Sequence, residues 1–457
     1  MINIKSDSRK IKKGDIFVAL KGISSNGDKY IDQAISSGAS KIVVDNDKEY
    51  EVETIKVSDT RKYLVDYLEE NYKDRLKEVK IIGITGTNGK TTTCFLVYQM
   101  LNKLGFKCAY IGTIGFYLDK KVSNLSNTSP DICDMYDMFI EAIDKGYKYI
   151  VLEASSQGLD MNRLEGITYD VAAFTNLTQD HLDYHKTFEN YAKAKQKLFE
   201  NVRDNGVSVV NIDDEYNTYF KSKNVVYYGF NALEYKIEDY TLGYNTKFTL
   251  NIKGKKYDFE TKLIGKYNIY NLVCAISILC ELKINITDII DAVKTLSSPP
   301  GRMDIIPFKT NLIIVDYAHT PDAMKNVYDT VKEVSKANIY TVFGCTGDRD
   351  RTKRPIMLSL AIKNSKKVIV TSDDLHTESF DNIVNDMVHG NDNGSYVVIK
   401  DRGKAIRYGI SYLDSNDILL VLGKGHETAI IVNDMKIPFN DREEIEKCIN
   451  ESLNKVI

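Results

Sequence analysis

The chain has 457 residues, of which 43% are hydrophobic and 27% charged, a composition typical of globular proteins and long enough for about three domains. Its 61 Lys and Arg against 64 Asp and Glu give a formal net charge of −3, which excludes the basic surplus of a nucleic-acid or anionic-membrane binder. The 7 cysteines include no Cys-x-x-Cys pair, and neither a signal-peptide core nor an apolar run of about 20 residues occurs. We therefore expect a cytoplasmic protein without disulfides, a cysteine zinc site or membrane spans.

The first block of the chain, residues 1–80, alternates short apolar runs with helical stretches. Residues 30–38 predict a helix between the first two runs. The charged stretch 63–80 predicts a second helix, which we expect to serve as a linker to the next block. The runs that predict strands are residues 15–20, 41–45 and 54–57.

The second block, residues 81–298, opens with a strand predicted at 80–85, a Gly-rich turn and a helix. Apolar residues of that helix recur at positions 97, 100, 101 and 104, one face of an α-helix, and Gly105 favours its end. Further strands are predicted at residues 148–153, 171–177 and 208–212. Buried apolar runs alternating with helices indicate an α/β fold with a mostly parallel sheet covered on both faces.

The third block, residues 299–457, begins near Pro299-Pro300-Gly301, which favours a break between a helix and a new domain. Each of its predicted strands runs directly into a polar segment. Because ligands of open parallel sheets bind beyond the carboxyl ends of the strands, these segments predict a binding site. The predicted strands are residues 312–316, 339–344, 367–371 and 418–423.

A Gly-rich segment between the strand at 80–85 and the following helix has the residue types of a phosphate-binding loop. Glycines allow several backbone N–H groups to point at phosphate oxygens, Lys90 would reach the β- and γ-phosphates, and the Thr91 hydroxyl could bind Mg²⁺. The strict Walker pattern has glycine where this chain has Ile84, and the alternative is an ordinary turn with a solvated lysine. The candidate nucleotide contacts are Gly86, Thr87, Asn88, Gly89, Lys90, Thr91 and Thr92.

Glu153 and His181 are candidate magnesium ligands. Glu153 ends an apolar strand, where a carboxylate is costly unless it is paired or binds a cation, although an exposed strand-end glutamate would have the same pattern. His181 and His185 are four residues apart and could share a helix face, but the glutamate of a His-Glu-x-x-His zinc site is absent. A structural, hydrogen-bonded histidine is the alternative for His181.

Lys195 is the lysine of its helix that we expect to face inward. At about 100° per residue it shares a stripe with Tyr191, Leu198 and Phe199, whereas Lys193 and Lys197 point the other way. An inward ammonium would repel Mg²⁺ and Lys90, whereas a carbamylated lysine would offer the oxygen ligands that Mg²⁺ prefers. A lysine whose ammonium reaches out to solvent is the alternative.

Taken together, these motifs resemble those of the Mur ligases, and among them the tripeptide synthetases, over essentially the whole chain. The resemblance implies an α/β protein of three domains with a central P-loop-type, mostly parallel sheet and a Rossmann-like C-terminal domain. It assigns residues 1–80 to UDP binding, 81–298 to ATP binding and 299–457 to amino-acid binding. It also implies ATP and Mg²⁺, a carbamylated Lys195 and small-molecule substrates. We expect a monomer, and from the charge balance neither nucleic acid nor membrane as a partner.

The resemblance also implies roles for individual residues. UDP-muramoyl-peptide contacts are expected at Ser8, Asn127, Thr128, Ser129, Ser155 and Arg163, with Gln157 standing where the family usually has His. Magnesium ligands are expected at Thr91, Glu153, His181 and Lys195, and catalytic roles at Lys90, Lys195, His181 and Arg302. Further ATP contacts are expected at Asn268, Asn271, Arg302, Asp316 and His319.

The expected amino-acid site comprises Asp373, Asp374, His376, Gly423 and Glu427. Relatives that add meso-diaminopimelate carry Asp-Asn-Pro-Arg where this chain has Asp373-Asp-Leu-His376. His376 lacks the forked guanidinium that suits a distal carboxylate, and the extra acid, Asp374, favours a cationic side-chain end. We therefore expect L-lysine or a similar diamine, unless selectivity resides outside this segment.

The implied reaction activates a D-glutamyl carboxylate as an acyl phosphate, which the amine of the incoming amino acid then attacks. Lys90, Arg302 and Mg²⁺ would position the groups and neutralise charge, and closure of the third domain over ATP is expected. One alternative is a folyl- or poly-γ-glutamate ligase, which would lack a UDP-binding block like residues 7–19, and another is a Mur ligase of different specificity, such as the one that adds D-alanyl-D-alanine. A third is a non-catalytic paralogue, suggested by Gln157, Thr346 and His376.

Overall fold

The computed structural model describes residues 2–22, 26–178, 180–391, 395–433 and 435–454. The chain divides into two compact units. The first unit comprises Met1–Ile237, Leu250–Lys256 and Asn271–Ala292. The second comprises Glu238–Thr249, Tyr257–Tyr270 and Val293–Ile457. No helix in the described part of the chain is long and apolar enough to cross a membrane.

The N-terminal part of the first unit contains a four-stranded parallel sheet in the order β1-β2-β3-β4. The strands and the helix predicted from the sequence lie where they were expected, and the short β1 adds a strand that the sequence did not predict. The elements are β1 (Ile4–Lys5), β2 (Ile16–Val18), α1 (Ile31–Ser36), β3 (Lys41–Val44), β4 (Glu53–Lys56) and α2 (Thr60–Leu76).

The helix α2 connects β4 to β5, as expected of a linker, and it is packed into the core. Leu64 and Leu68 are fully buried and belong to one hydrophobic core with Ile4 of the small sheet and Tyr136 of the central region. The residues around them are charged, which hides the apolar stripe in the sequence. Because the stripe is buried, α2 joins the first block to the core of the second.

The central part of the first unit is a larger sheet whose strands β12-β11-β10-β5-β9-β6 are parallel, with β7 and β8 antiparallel at the end next to β6. Its elements begin with β5 (Lys80–Thr85), α3 (Lys90–Lys103), β6 (Cys108–Gly112), β7 (Gly115–Tyr117), β8 (Lys121–Ser123), α4 (Ile132–Asp144) and β9 (Tyr149–Glu153). They continue with α5 (Ser156–Asp160), β10 (Tyr169–Phe174), α6 (Leu182–His185), α7 (Phe188–Glu200), β11 (Val202–Asn211) and β12 (Val225–Gly229). The chain continues with elements whose residues are divided between the two units: β13 (Tyr235–Thr241), β14 (Thr246–Ile252), β15 (Lys255–Thr261), α8 (Lys266–Glu281) and α9 (Ile286–Val293).

The register of this sheet brings functional segments to one edge. Ile84 of β5 pairs with Glu153 of β9, and Thr85 pairs with Phe174 of β10. The residues that follow β5, β9 and β10 therefore emerge side by side at the carboxyl edge, as expected for a parallel sheet.

The second unit contains a six-stranded sheet in the order β16-β17-β21-β18-β19-β20, parallel except for β16. Separate hydrophobic clusters cover its faces, one with Tyr328 and Leu358, the other with Ile406 and Ile445, so helices pack on both sides. The elements begin with β16 (Asp304–Phe308), β17 (Asn311–Asp316), α10 (Pro321–Val334), β18 (Ile339–Phe343), α11 (Lys353–Asn364), β19 (Lys367–Val370) and α12 (Phe380–Val388). They end with β20 (Tyr396–Val398), α13 (Arg402–Ser411), β21 (Ile418–Leu422), β22 (Ala429–Val432), β23 (Met435–Pro438) and α14 (Asp441–Asn454).

Candidate functional site

The predicted phosphate loop connects β5 to α3, as the sequence indicated, and Lys90 is the first residue of the helix. Neighbouring backbone holds the loop in place: the N–H of Thr87 donates to the carbonyl of Asn176 at 2.8 Å, and the Thr175 hydroxyl donates to the carbonyl of Asn88 at 2.6 Å. The loop therefore lies at a helix N-terminus and is fixed by the segment that follows β10, as an anion-binding loop requires.

Two glycines of the loop stand where a side chain would not fit. Gly86 has φ +150° and a Cβ there would lie 1.9 Å from the Thr175 hydroxyl. Gly89 has φ +84° and a Cβ would lie 2.3 Å from Oδ1 of Asn271. Both positions require glycine for two reasons: the backbone has a positive φ, and a Cβ would clash with a neighbouring side chain.

Two lysines converge on the loop. Nζ of Lys90 and Nζ of Lys195 each lie 2.8 Å from the carbonyl oxygen of Gly86, and Lys195 also lies 4.4 Å from the ring centre of Tyr191. Burial, together with the charge of Lys90, holds the pKa of Lys195 well below its usual value. The prediction that Lys195 faces inward with Tyr191 is confirmed, and Lys193 and Lys197 lie on the exposed side of α7.

Glu153 is buried and, among the residues that the structure describes, accepts hydrogen bonds only from neutral donors. They are the hydroxyls of Thr91 at 2.8 Å, Tyr110 at 2.5 Å and Thr113 at 3.0 Å, together with the N–H of Thr113 at 2.9 Å. No lysine or arginine among the described residues pairs with this carboxylate. Burial and the adjacent carboxylate raise the pKa of Tyr110 well above its usual value, so the phenol stays protonated. A buried carboxylate with no cationic partner suits a metal ion, and Glu153 and the Thr91 hydroxyl supply the oxygen ligands that Mg²⁺ prefers.

Sequence reasoning identified Glu153 and Thr91 but missed Tyr110 and Thr113. Both lie on or beside β6, a strand that the sequence did not predict. The apolar run from Cys108 to Gly112 was the available signal, since such a run followed by a threonine has the pattern of the other strands that end at this edge.

The two histidines do not share a helix face. His181 precedes α6 with φ +52° and its side chain is 47% exposed; its ring lies 3.5 Å from the Asp180 carboxylate and 6.5 Å, centre to centre, from Tyr191. His185 is buried, with Nε2 3.0 Å from the Ser156 hydroxyl. The contacts of the His181 ring thus place it beside the phosphate-loop region without a contact to Glu153 or Thr91.

The residues expected at the muramoyl peptide form one network next to Glu153. The Thr128 hydroxyl lies 3.0 Å from that of Thr113, and the Ser129 hydroxyl donates to the backbone carbonyl of Glu153 at 2.9 Å and lies 3.0 Å from that of Ser155. Nη1 of Arg163 donates to the carbonyl of Ser129 at 3.3 Å.

Asn127 and Ser8 are the other residues expected to contact the UDP-muramoyl peptide, and Gln157 stands where the family usually has His. Asn127 is exposed beside this network, and Gln157, in α5, is half-buried. Ser8 lies in the small N-terminal sheet region, buried, with its hydroxyl 2.8 Å from Oε1 of Gln33.

The expected adenine-side residues lie on α8. Asn271 is buried, and its Oδ1 lies 3.5 Å from the Thr93 hydroxyl and faces Gly89 of the loop. Asn268 is also buried, and its amide donates to the carbonyl of Ile264 at 2.8 Å.

In the second unit, Arg302, Asp316 and His319 surround Tyr317. The Arg302 guanidinium lies 4.9 Å above the Tyr317 ring, and its Nε is buried without a hydrogen-bond partner in the described part of the chain. Nδ1 of His319 lies 2.8 Å from the carbonyl of Tyr317, and burial lowers the pKa of His319. Burial also raises the pKa of Asp316, which accepts from the N–H groups of Met303 at 2.7 Å and Ala318 at 2.8 Å. An unpartnered guanidinium nitrogen beside these groups suits an anionic ligand.

The expected amino-acid residues converge beyond β19 and β21 and enclose a lysine that sequence reasoning missed. Nζ of the buried Lys424 lies 2.8 Å from Asp374, 2.7 Å from Glu427 and 3.8 Å from Asp373. Burial alone would lower the pKa of Lys424, but the three carboxylates outweigh it and raise the pKa. Burial raises the pKa of Glu427.

The pairing of Asp374 removes the reason for preferring lysine as substrate. Its Oδ1 accepts from Lys424 and from the N–H of Ile431 at 2.9 Å, so this acid is not an open partner for a cationic substrate. His376 has φ +49° and is half-buried, with its N–H donating to the carbonyl of Ile431 at 3.1 Å. Gly423 has φ +112°, and a side chain would not fit there, because a Cβ would lie 2.5 Å from Oδ2 of Asp373.

Three family models match the chain in succession. The catalytic domain of the Mur ligase family matches residues 2–80, the Mur ligase middle domain matches 84–279, and the Mur ligase glutamate ligase domain matches 301–425.

Full-length relatives and a solved structure agree with these matches. The UDP-N-acetylmuramoyl-L-alanyl-D-glutamate--2,6-diaminopimelate ligase of Clostridium botulinum is 40% identical over 461 residues, covering 98% of this chain and 95% of that protein. The enzyme of the same name from Bacillus cereus is 38% identical over 465 residues, covering 99% and 94%. A solved structure with the same description has a TM-score of 0.71 at 31% identity and covers 99% of this chain and 95% of its own. The similarity therefore extends over the whole length of the chain.

Proposed function

The chain belongs to the Mur ligase family and is an ATP-dependent, ADP-forming ligase with the family's three-domain α/β fold, and we propose that it joins a diamino acid to UDP-N-acetylmuramoyl-L-alanyl-D-glutamate. The names of the full-length relatives support this step of peptidoglycan precursor synthesis. We keep residues 1–80, 81–298 and 299–457 as the proposed UDP-binding, ATP-binding and amino-acid-binding domains.

The observation that carries the proposal is a continuous set of hydrogen bonds from the phosphate loop to the expected muramoyl-peptide segment. Thr91 contacts Glu153, Glu153 contacts Thr113, and Thr113 contacts Thr128. The place where a γ-phosphate would be held thus adjoins the place where the acceptor carboxylate would lie. Such adjacency is what a transfer between the two groups requires.

The proposed chemistry has two steps. An oxygen of the D-glutamyl carboxylate attacks the γ-phosphorus of ATP and ADP departs, which leaves an acyl phosphate. The neutral amine of the amino acid attacks the acyl carbon, loses a proton, and the tetrahedral intermediate expels phosphate. No protein nucleophile takes part, so the chain's contribution is positioning and charge neutralisation by Lys90 and Arg302.

Mg²⁺ would be held by Thr91, Glu153, His181 and a carbamylated Lys195, and when bound it would neutralise charge on the phosphates. The side-chain contacts support these four ligands unequally. Thr91 and Glu153 contact each other, whereas His181 contacts neither of them. The lowered pKa of Lys195 supports carbamylation, because the amine must be uncharged to add to carbon dioxide. The product is an anion, which removes the repulsion between Lys195 and Lys90.

We propose 2,6-diaminopimelate as the first choice of amino acid and lysine as the second. The names of the relatives favour the former, and the pairing of Asp374 with Lys424 takes away the argument for the latter. His376 stands where the family's diaminopimelate enzymes carry arginine, so another group would have to receive the distal carboxylate.

The experiment is to give the purified protein ATP, Mg²⁺, UDP-N-acetylmuramoyl-L-alanyl-D-glutamate and one amino acid at a time, and to weigh the product. We expect a mass increase with 2,6-diaminopimelate and phosphate release that depends on the amino acid. Product with folate substrates instead would establish the folyl-ligase alternative, and no ATP-dependent product with any substrate would establish the non-catalytic alternative. We further propose a monomer that works in the cytoplasm, where all three small-molecule substrates would be available.

A further inference from the structure

Arg402 and Asp441 form a buried ion pair that none of the roles above uses. Both side chains are fully buried, and Nε and Nη2 of Arg402 donate to the two oxygens of Asp441 at 2.7 Å each. This forked geometry is the strongest arrangement of an arginine and a carboxylate. Removing two charges from water is nevertheless costly, and apolar residues of similar volume often stabilise a fold as well. Stability alone therefore does not account for this ion pair.

The remaining donors of Arg402 reach the ends of two strands. Nη1 donates to the backbone carbonyl of Ser372 at 3.2 Å, and Nη2 donates to that of Leu422 at 3.0 Å. Ser372 immediately precedes Asp373, and Leu422 immediately precedes Gly423. One guanidinium thus holds the last backbone carbonyls before both segments of the expected amino-acid site.

The two strand ends have no direct ladder between them. In the sheet order β17-β21-β18-β19, strand β18 separates β21 from β19. Hydrogen bonds of the sheet therefore connect the end of β19 and the end of β21 to β18, but they do not connect these two ends to each other. Arg402 supplies the cross-link beyond the end of β18, and Asp441 fixes the plane in which the guanidinium lies.

The amino-acid site depends on the spacing that this cross-link sets. A Cβ at Gly423 would lie 2.5 Å from Oδ2 of Asp373, and Nζ of Lys424 lies 2.8 Å from Asp374. The hydrogen-bonded ion pair between Lys424 and Asp374, and the lack of space for a side chain at position 423, tolerate little relative movement of the two strand ends.

We propose that Arg402 and Asp441 are positioning residues for the amino-acid site, which set the distance between the Asp373–Asp374 segment and the Gly423–Lys424 segment. The inference rests on the proposed function, in which those segments bind the incoming amino acid. Neither residue touches the substrate in this arrangement; each acts through the strand ends.

The position of the pair allows it to be replaced without loss of a helix cap. Arg402 begins α13 and Asp441 begins α14, but the caps are the neighbouring residues. Asp401 accepts from the N–H of Lys404 at 2.8 Å, and Asn440 accepts from the N–H of Glu443 at 3.1 Å. Both caps remain when Arg402 and Asp441 are changed.

Two variants test the pair in the full-length protein. Arg402→Lys keeps the charge but loses the fork, and the double variant Arg402→Met with Asp441→Leu removes both charges and should keep the fold. Arg407→Lys, on the same helix with a half-exposed side chain, is the control. We expect both test variants to raise the KM for the amino acid at least about tenfold, while the KM values for ATP and the UDP substrate stay within about twofold.

Hydrogen–deuterium exchange provides a readout that does not depend on ligation. We expect faster exchange at residues 371–376 and 422–428 in both test variants and unchanged exchange in the control. Unaltered exchange there, or equal losses for all three substrates with a lowered melting temperature, would overturn the positioning role. If the wild-type protein ligates no amino acid, the proposed function fails, and the exchange data alone then decide whether the pair holds the strand ends.

Discussion

Two regions of this protein place buried or half-buried carboxylates at or just beyond the ends of parallel strands, and the two regions provide opposite kinds of hydrogen-bond donor to them. Within the described part of the chain, Glu153, at the end of β9, receives only hydroxyl and N–H donors. Asp374 and Glu427, in the second unit, receive the ammonium of Lys424 at 2.8 and 2.7 Å. The first region has no cationic partner among the described residues, and the second carries its own cation.

The lysines of the two regions show the same contrast. For Lys195, burial and the like charge of Lys90 outweigh the more weakly acting Asp180 and lower its pKa well below the usual value. Lys424 is also buried, but the neighbouring carboxylates raise its pKa. Burial by itself therefore does not decide the charge of a lysine; the sign of its neighbours does. Lys195 is suited to react as a free amine, and Lys424 to remain an ion.

The largest expected effect comes from removing the lysine of the first region. Lys195→Ala should lower kcat at least about a thousandfold, because the carbamate that would hold the metal cannot form. Short carboxylic acids should restore part of the activity by supplying the missing oxygens, measured as phosphate release. Lys193→Ala, on the exposed side of the same helix, is the matched control. Full activity of Lys195→Ala would remove this residue from the mechanism.

Removing the lysine of the second region should affect the amino acid rather than ATP. Lys424→Met leaves three carboxylates whose oxygen atoms lie within 4.8 Å of one another, and their repulsion should distort the site. We expect the KM for the amino acid to rise about 30- to 100-fold with little change in the KM for ATP, measured by steady-state kinetics. Lys404→Met, on the surface of α13, is the control. Equal changes in both KM values would show that Lys424 does not serve the amino-acid site.

A smaller decrease in kcat should follow from removing one of the hydrogen bonds that hold the Glu153 side chain in place. Thr113→Val removes the hydroxyl that contacts both Glu153 and Thr128 but keeps the backbone donor. One lost hydrogen bond to a charged group predicts a decrease of about tenfold in kcat, and Thr113→Ser should restore most of it. A valine variant with wild-type kcat, and an unchanged magnesium requirement, would contradict this positioning by Thr113.

The smallest effect is a difference in the pH dependence of stability. In buffer free of carbon dioxide, the unfolded chain binds a proton on Lys195 that the native protein holds less tightly, so this group makes the free energy of unfolding rise with pH. The rise falls between the lowered native pKa and the unfolded value of about 10.4, with a slope of at most about 1.4 kcal/mol per pH unit. Lys195→Met should lack this component in denaturant titrations at several pH values. Identical pH profiles for both proteins would show that Lys195 is charged in the native state.

Much of the first region was predictable because its signals are local. Residues 86–92 form one uninterrupted motif, and the strand and helix on either side lie where periodicity placed them. The inward direction of Lys195 followed from helical geometry alone. Thr113 was not found, because its role depends on β6, which was not predicted, and on a hydrogen bond to a residue 40 positions away.

The second region was predictable only in part. Its strands and the polar segments after them were found, and family resemblance pointed to Asp373, Asp374 and Glu427. The role of Lys424 was missed because it depends on an acid 50 positions away, and Arg402 was missed because its contacts are backbone carbonyls that no sequence pattern marks. The packing of α2 was missed for a related reason, since its charged residues hide the buried stripe that joins two parts of the core.

The sequence by itself determined the α/β class, the phosphate loop, the ends of the main strands and the direction of Lys195, because each follows from the order and spacing of neighbouring residues. Tertiary structure alone decided which carboxylates pair with a cationic side chain and which, among the described residues, receive only neutral donors. Charge balance in a buried site depends on distances of 3–4 Å between side chains, and segments far apart in the chain supply those side chains.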